Sequence, residues 1–197
     1  MLRSIVTLSF ALAAGSALAV TAGTAAPEIS AADSNGKAVK LSDYRGKFVV
    51  LEWTNPECPF VRAQYGADAM QALQKEASGK DVVWLTVNST NKSSSEFKTG
   101  AQMNDWMKDK GGAPKAVLID STSAAGRAYD AKTTPHMFVI DPAGKIVYAG
   151  AIDDKRSARE SDRKTANNYV RAALNETLAG KPVTVASTTP YGCSVKY

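Results

Sequence analysis

Residues 48–53, Phe48-Val49-Val50-Leu51-Glu52-Trp53, form an apolar run that does not alternate and is broken only by Glu52. Such a run fits a strand covered on both faces, which calls for helices on either side of the sheet. The run leads into Thr54-Asn55-Pro56-Glu57-Cys58, and Pro59 then suits the first position of a helix. A thiol placed where a buried strand ends and a helix begins meets free backbone N–H groups and the positive end of the helix dipole. Both favour thiolate over thiol, which makes Cys58 the candidate nucleophile.

Strand and helix patterns alternate along the rest of the chain. Asp33-Ser34-Asn35-Gly36-Lys37 has the chemistry of a tight hairpin turn between short extended segments. Residues 41–47 read as a turn or short helical piece. Apolar side chains at 60, 63, 67, 70 and 73 predict one amphipathic helix over 59–78, closed by Gly79. A buried strand over 81–87 follows, then a polar, Ser-rich loop over 88–95. Next comes a helix over 96–110 with Met103 and Met107 in the core. A strand over 115–120, a short helix over 124–129, a hairpin from 137–141 and 145–150, and a last helix over 165–178 complete the pattern. Strands separated by helices require parallel crossovers, and the early hairpin adds an antiparallel edge. The expected fold class is therefore α/β: a central mixed sheet flanked by helices on both faces, with an N-terminal β-hairpin extension.

The start of the chain has the layout of a secretory leader. Arg3 is the only charge before Glu28, an apolar stretch runs over 5–18, and small residues suited to cleavage follow near 19 or near 25. The expected division is a leader over 1–25, a domain over 27–180 and a tail over 181–197. No lipidation cysteine follows the apolar stretch, which excludes a lipoprotein, and no stable membrane association is expected once the leader is removed. The remaining 172 or so residues suffice for one domain with a sizeable core. Export places the chain in the periplasm or outside the cell, where disulfides persist.

Only two cysteines are present, Cys58 and Cys193. In an exported chain two cysteines read most simply as a pair. Cys193 lies 13 residues beyond Gly180, and an extended tail of that length spans roughly 40 Å, enough to reach Cys58 in its own chain or in a homodimer. Three roles stay open for it: a resolving thiol, half of a permanent staple, or an unpaired thiol. One histidine and two distant cysteines do not make a zinc or copper site, and no metal or cofactor is expected. The net charge of +5 is dispersed. Its densest part, Lys155 to Lys164, is interleaved with acids and reads as a solvated helix face. No aromatic residues interleave with it, so nucleic acid is not an expected partner.

Six further residues are candidates for the surroundings of the thiol. Glu52, within the apolar run, is expected to be partly buried with a raised pKa, suited to proton exchange with sulfur. Thr134-Pro135 precedes an apolar strand; with a cis bond it would present the Thr134 backbone to the sulfur and to a substrate chain. His136 follows it and either stabilises the thiolate or points away. Trp53 and Phe60 are read as core or as a substrate platform beside the sulfur.

Taken together, these stretches resemble the thioredoxin superfamily, in the redoxin branch related to alkyl hydroperoxide reductase/thiol-specific antioxidant and TlpA-like proteins. The likeness covers roughly residues 29–178. It is carried by 33–51, by the segment around Cys58, and by Thr133-Thr134-Pro135-His136-Met137-Phe138-Val139-Ile140-Asp141 with Gly144-Lys145. Including the closing Tyr191-Gly192-Cys193-Ser194-Val195-Lys196-Tyr197, the chain resembles an exported peroxiredoxin-like subgroup. The resemblance implies a thioredoxin-like fold, Cys58 as attacking thiol, Glu52 as the buried acid six positions earlier, and a groove formed by Thr134, Pro135, Trp53, Pro59, Phe60 and His136. It also implies a thiol, disulfide or hydroperoxide substrate and a separate reducing partner. Two departures stand out. Val61 holds the second cysteine position of a Cys-x-x-Cys motif, and Asn55 holds the place where peroxiredoxins carry Thr or Ser. The expected activity is thiol-disulfide exchange, with peroxidase and non-catalytic binding or chaperone roles as alternatives.

Overall fold

The computed structural model describes residues 20–197. Most of the expected leader lies outside them. Seven strands form one mixed sheet: β1 (Ser30–Asp33), β2 (Ala38–Lys40), β3 (Val49–Trp53), β4 (Val83–Asn88), β5 (Ala116–Ile119), β7 (His136–Ile140) and β8 (Ile146–Gly150), in the order β2-β1-β5-β4-β3-β7-β8. A two-residue strand between β5 and β7, β6 (Thr133–Thr134), stands apart and pairs with β9 (Cys193–Ser194). β3, β4 and β5 run parallel, whereas β7 runs antiparallel to β3 and turns back as β8. The apolar run is thus an interior strand of the sheet, between β4 and β7, buried on both faces as its lack of alternation required.

Helices α1 (Pro59–Gly66), α2 (Ala69–Gly79), α3 (Gly100–Asp109) and α5 (Tyr169–Leu178) contribute to one core layer with Cys58, Tyr65, Trp84 and Met137. On the other face, α4 (Ala124–Ala128) and the hairpin pack over Leu51, Trp53 and Phe138. Met103 and Met107 are core residues as expected.

Three expectations are corrected. The single helix over 59–78 is two helices, broken where Asp68 takes a left-handed φ of 55°. Apolar periodicity runs through this break because both helices face one core, so the pattern carries no sign of it. The helix expected over 96–110 starts at Gly100, capped by Thr99 and Gln102 in a reciprocal box. The basic stretch near residue 160 is not a solvated helix face throughout: Arg163 is buried against Asp153 at 2.8 Å.

Residues at both ends of the described chain are built into the edge beside β8. Gly23 donates to the Ile146 carbonyl at 2.8 Å, Ile146 to Thr24 at 2.9 Å and Ala26 to Gly144 at 2.9 Å. Further along, Ala149 donates to Ala186 and Thr188 to Ala149, both at 3.1 Å. Covering the edge in this way satisfies backbone groups that would otherwise be left for another chain to pair with. It also starts the tail on its course back toward Cys58.

Candidate active site at Cys58

Residues 54–58 carry the chain from the end of β3 into α1. Thr54 extends the strand through a 2.9 Å bond from its N–H to the Val87 carbonyl. Asn55 then closes the turn: its side-chain oxygen accepts from Glu57 N at 2.8 Å and its carbonyl from Cys58 N at 3.0 Å. Its amide donates to Glu96 at 2.6 Å. Arg62 reaches back from α1 to the Pro56 carbonyl at 2.8 Å and pairs with Glu57, which Lys98 also meets at 2.7 Å. The loop is thereby tied at both ends, and Cys58 becomes the N-cap residue of α1 with Pro59 in the first turn.

Cys58 is 1% exposed. Its thiol donates to the Thr134 carbonyl at 3.0 Å, and its sulfur lies 2.7 Å from that of Cys193. Both are free thiols at this separation. A formed S–S bond measures about 2.05 Å, so the pair needs only a sub-ångström approach to close. The Thr134–Pro135 peptide is cis.

Cys193 is brought there by the tail. In the β6–β9 ladder Cys193 stands opposite Thr134 and Ser194 opposite Thr133, while Val195 N donates to the Lys132 carbonyl at 3.2 Å. Before the ladder, the Tyr191 hydroxyl donates to Asp153 at 2.6 Å and accepts from Arg163 at 2.9 Å; its ring lies 5.8 Å from Phe60, edge to face. After it, Asn91 N donates to the Lys196 carbonyl at 2.7 Å and Arg127 lies 4.7 Å above the Tyr197 ring. Burial, reinforced by the neighbouring sulfur, pushes the Cys193 thiol up to about 12. It is therefore a thiol at neutral pH unless the reaction itself removes the proton.

Glu52 is fully buried, and its carboxylate accepts from Tyr65, Gln74, Trp84 and Thr86 at 2.9 to 3.2 Å. Burial pushes its carboxyl up to about 7, against the opposing effect of those four donors. Cross-strand partners share a face, so Glu52 and Met137 point to the Cys58 layer, whereas Trp53 and His136 point to the other. Among the described residues no hydrogen bond joins Glu52 to Cys58. The Trp53 indole donates to Ser89 at 3.0 Å, and His136 lies 4.6 Å from the Phe138 ring and accepts from Lys132 N at 3.3 Å. Burial drives the His136 pKa down to about 4, so it is neutral at physiological pH. The structure therefore gathers Cys58, Cys193, Thr134, Pro135, Pro59 and Phe60, places Glu52 behind them, and leaves Trp53 and His136 outside the group.

The sequence reading missed the Tyr191–Asp153–Arg163 cluster, to which Gln64 of α1 adds a 2.7 Å bond. Its only sequence trace is a tyrosine two residues ahead of the tail cysteine.

A family model described as AhpC/TSA matches residues 22–149. The chain belongs to the AhpC/TSA family. It is 28% identical to the thiol-disulfide oxidoreductase ResA of Bacillus subtilis over 128 residues, 65% of this chain and 66% of that protein. The match thus spans just under two thirds of the relative's length. Among solved structures, an uncharacterized conserved protein from Geobacillus kaustophilus superposes with a TM-score of 0.78 at 27% identity, covering 90% of this chain and 93% of that one. The thioredoxin domain of a thiol-disulfide oxidoreductase from Bacteroides vulgatus gives 0.55 at 19% identity, covering 76% and 100%, and shows that the fold is thioredoxin-like. The match to the family model ends at residue 149, so it contains Cys58 and excludes Cys193.

Proposed function

We propose that this chain is an exported thiol-disulfide oxidoreductase in which Cys58 attacks and Cys193 resolves. The observation that carries the reading is the 2.7 Å separation between the two sulfurs, one of them at a helix N-terminus. The name of the Bacillus subtilis relative points the same way. The Cys58 thiolate attacks one sulfur of a substrate disulfide, forming a mixed disulfide and expelling the other as thiolate. Cys193 then attacks the Cys58 sulfur, passes its proton to the departing thiolate and closes the Cys58–Cys193 bond. A dithiol partner reverses the cycle. The raised pKa of Cys193 suits this order, because it leaves Cys58 as the first attacker. Thr134, Pro135 and Phe60 shape the groove, and Glu52 supplies an ionisable group behind it that titrates near neutrality.

Asn55 argues against a hydroperoxide as the main substrate. Its side chain is held in the loop by bonds to Glu96 and from Glu57 N, and it carries no hydroxyl in place of the expected Thr or Ser. Cleavage of the leader near residue 19 is the consistent choice, because cleavage near 25 would remove backbone bonded to β8.

The test is mass spectrometry of the mature chain after thiol alkylation, before and after a disulfide or peroxide pulse, then after a dithiol. A reversible Cys58–Cys193 bond formed faster with a disulfide than with peroxide is the expected result. A bond that yields to the dithiol only in denaturant would make the pair a staple and end the oxidoreductase reading.

A further inference from the structure

The backbone of Thr133 and Thr134 is the edge that an extended chain would pair with to bring its own sulfur to Cys58. That edge is taken. The tail lies on it as an antiparallel partner with a cysteine opposite Thr134, its sulfur 2.7 Å from Cys58, the position a substrate cysteine would need. We propose that residues 191–197 are a substrate strand held in cis: they close the Cys58 groove to polypeptide disulfides and leave small-molecule disulfides as the substrate class. The inference rests on Cys58 being the nucleophile, but not on the role of Cys193.

Two features make the occupant specific. Gly192 has φ 135°, and a Cβ built there would overlap the Thr134 carbonyl oxygen, a backbone atom that cannot swing aside. The residue before the docked cysteine must therefore be glycine. Tyr191 is 5% exposed and fixed between Phe60 and the Asp153–Arg163 pair, which anchors the strand just before the ladder. At the far end, Tyr197 donates to the Ala131 carbonyl at 2.5 Å. An external chain must displace all of this, whereas a small disulfide need only reach a sulfur.

The experiment compares the mature chain carrying Cys193→Ser with the same chain also carrying Gly192→Ala, so that Cys58 is the single thiol in both. Each is reacted with iodoacetamide and with a cysteine-containing peptide activated as a mixed disulfide. The peptide should react about ten- to a hundredfold faster with the Gly192→Ala chain, as when a groove open for 1–10% of the time is opened fully, while iodoacetamide changes much less. A Cys193→Ser chain ending at Pro190 should show the same gain, which guards against misfolding of the glycine variant. Equal peptide rates in all three, or iodoacetamide rates that rise by the same factor, would overturn the proposal. The rates need no turnover, so a chain without oxidoreductase activity can still pass. A Cys58 inert to both reagents in every variant would overturn the nucleophile reading along with this one.

Discussion

The Tyr191 hydroxyl donates to Asp153 at 2.6 Å, two residues ahead of the sulfur that faces Cys58. Asp153 also takes a bond from Gln64 at 2.7 Å, and Gln64 lies on the helix whose first turn follows Cys58. The two sulfurs are therefore located relative to each other by two routes, the β6–β9 ladder and this buried cluster. Holding both groups in place replaces a search by the free tail with a fixed geometry, which is how a thiol 135 residues away acts as a neighbour.

Removing the hydroxyl tests this directly. Tyr191→Phe keeps the ring against Phe60 and leaves Asp153 with Arg163 and Gln64. Loss of a hydrogen bond to a charged group should cost about 1–3 kcal/mol of stability. If the tail loosens enough to lower the effective concentration of Cys193 tenfold, the Cys58–Cys193 couple shifts by about 30 mV toward easier reduction. A redox titration reads the shift. A variant that loses stability but keeps its potential would show that the cluster does not position Cys193.

Arg163→Met should be harsher, because it leaves the Asp153 carboxylate buried without its cation. Breaking a buried pair from one side costs about 3–5 kcal/mol. Urea midpoints should fall accordingly, and Asp153→Asn in the same chain should recover part of the loss. Additive losses in the double variant would mean that the 2.8 Å pair contributes nothing of its own.

Replacing either cysteine separates attack from resolution. Cys58→Ser should abolish turnover of a small disulfide. Cys193→Ala should leave the first attack and trap Cys58 as a mixed disulfide that gel electrophoresis or mass spectrometry detects. Full turnover by Cys193→Ala would show that resolution comes from elsewhere.

What could be read from the sequence follows from how local the cause is. An interior strand of the sheet was legible because residues 48–53, Glu52 apart, are apolar on both faces. The start of the helix after Cys58 was legible because Pro59 suits a first helical position. The break at Asp68 was not, since the two helices share a core face and the apolar spacing runs on. Adjacency in the chain suggested Trp53 beside the sulfur and left His136 either there or pointing away, and strand alternation turns both to the opposite face. The Arg163–Asp153–Tyr191 cluster joins three distant segments, and a charged stretch reads as solvated until the third segment is known to cover it.

Stability against pH should show two buried groups working in opposition. Glu52 titrates near 7 in the folded chain against an ordinary 4.5, so between these values the folded state holds a proton that the unfolded state has lost, and stability falls as pH rises. His136 titrates near 4 against 6.5, so over that window the folded state lacks a proton that the unfolded state carries, and stability rises with pH. Between 4.5 and 6.5 the two slopes cancel, and the wild-type profile should be nearly flat there. Glu52→Gln should expose the rising slope, at most about 1.4 kcal/mol per pH unit, and His136→Gln the falling one. Glu57 and Glu76, whose carboxyls are held low by Lys98 and Arg171 respectively, add a loss only at more acid pH. Urea midpoints from pH 4.5 to 7.5 measure all three proteins. Parallel profiles for wild type and Glu52→Gln would mean that Glu52 ionises in the folded state as easily as in the unfolded one, and its proposed proton exchange near neutral pH would go with it.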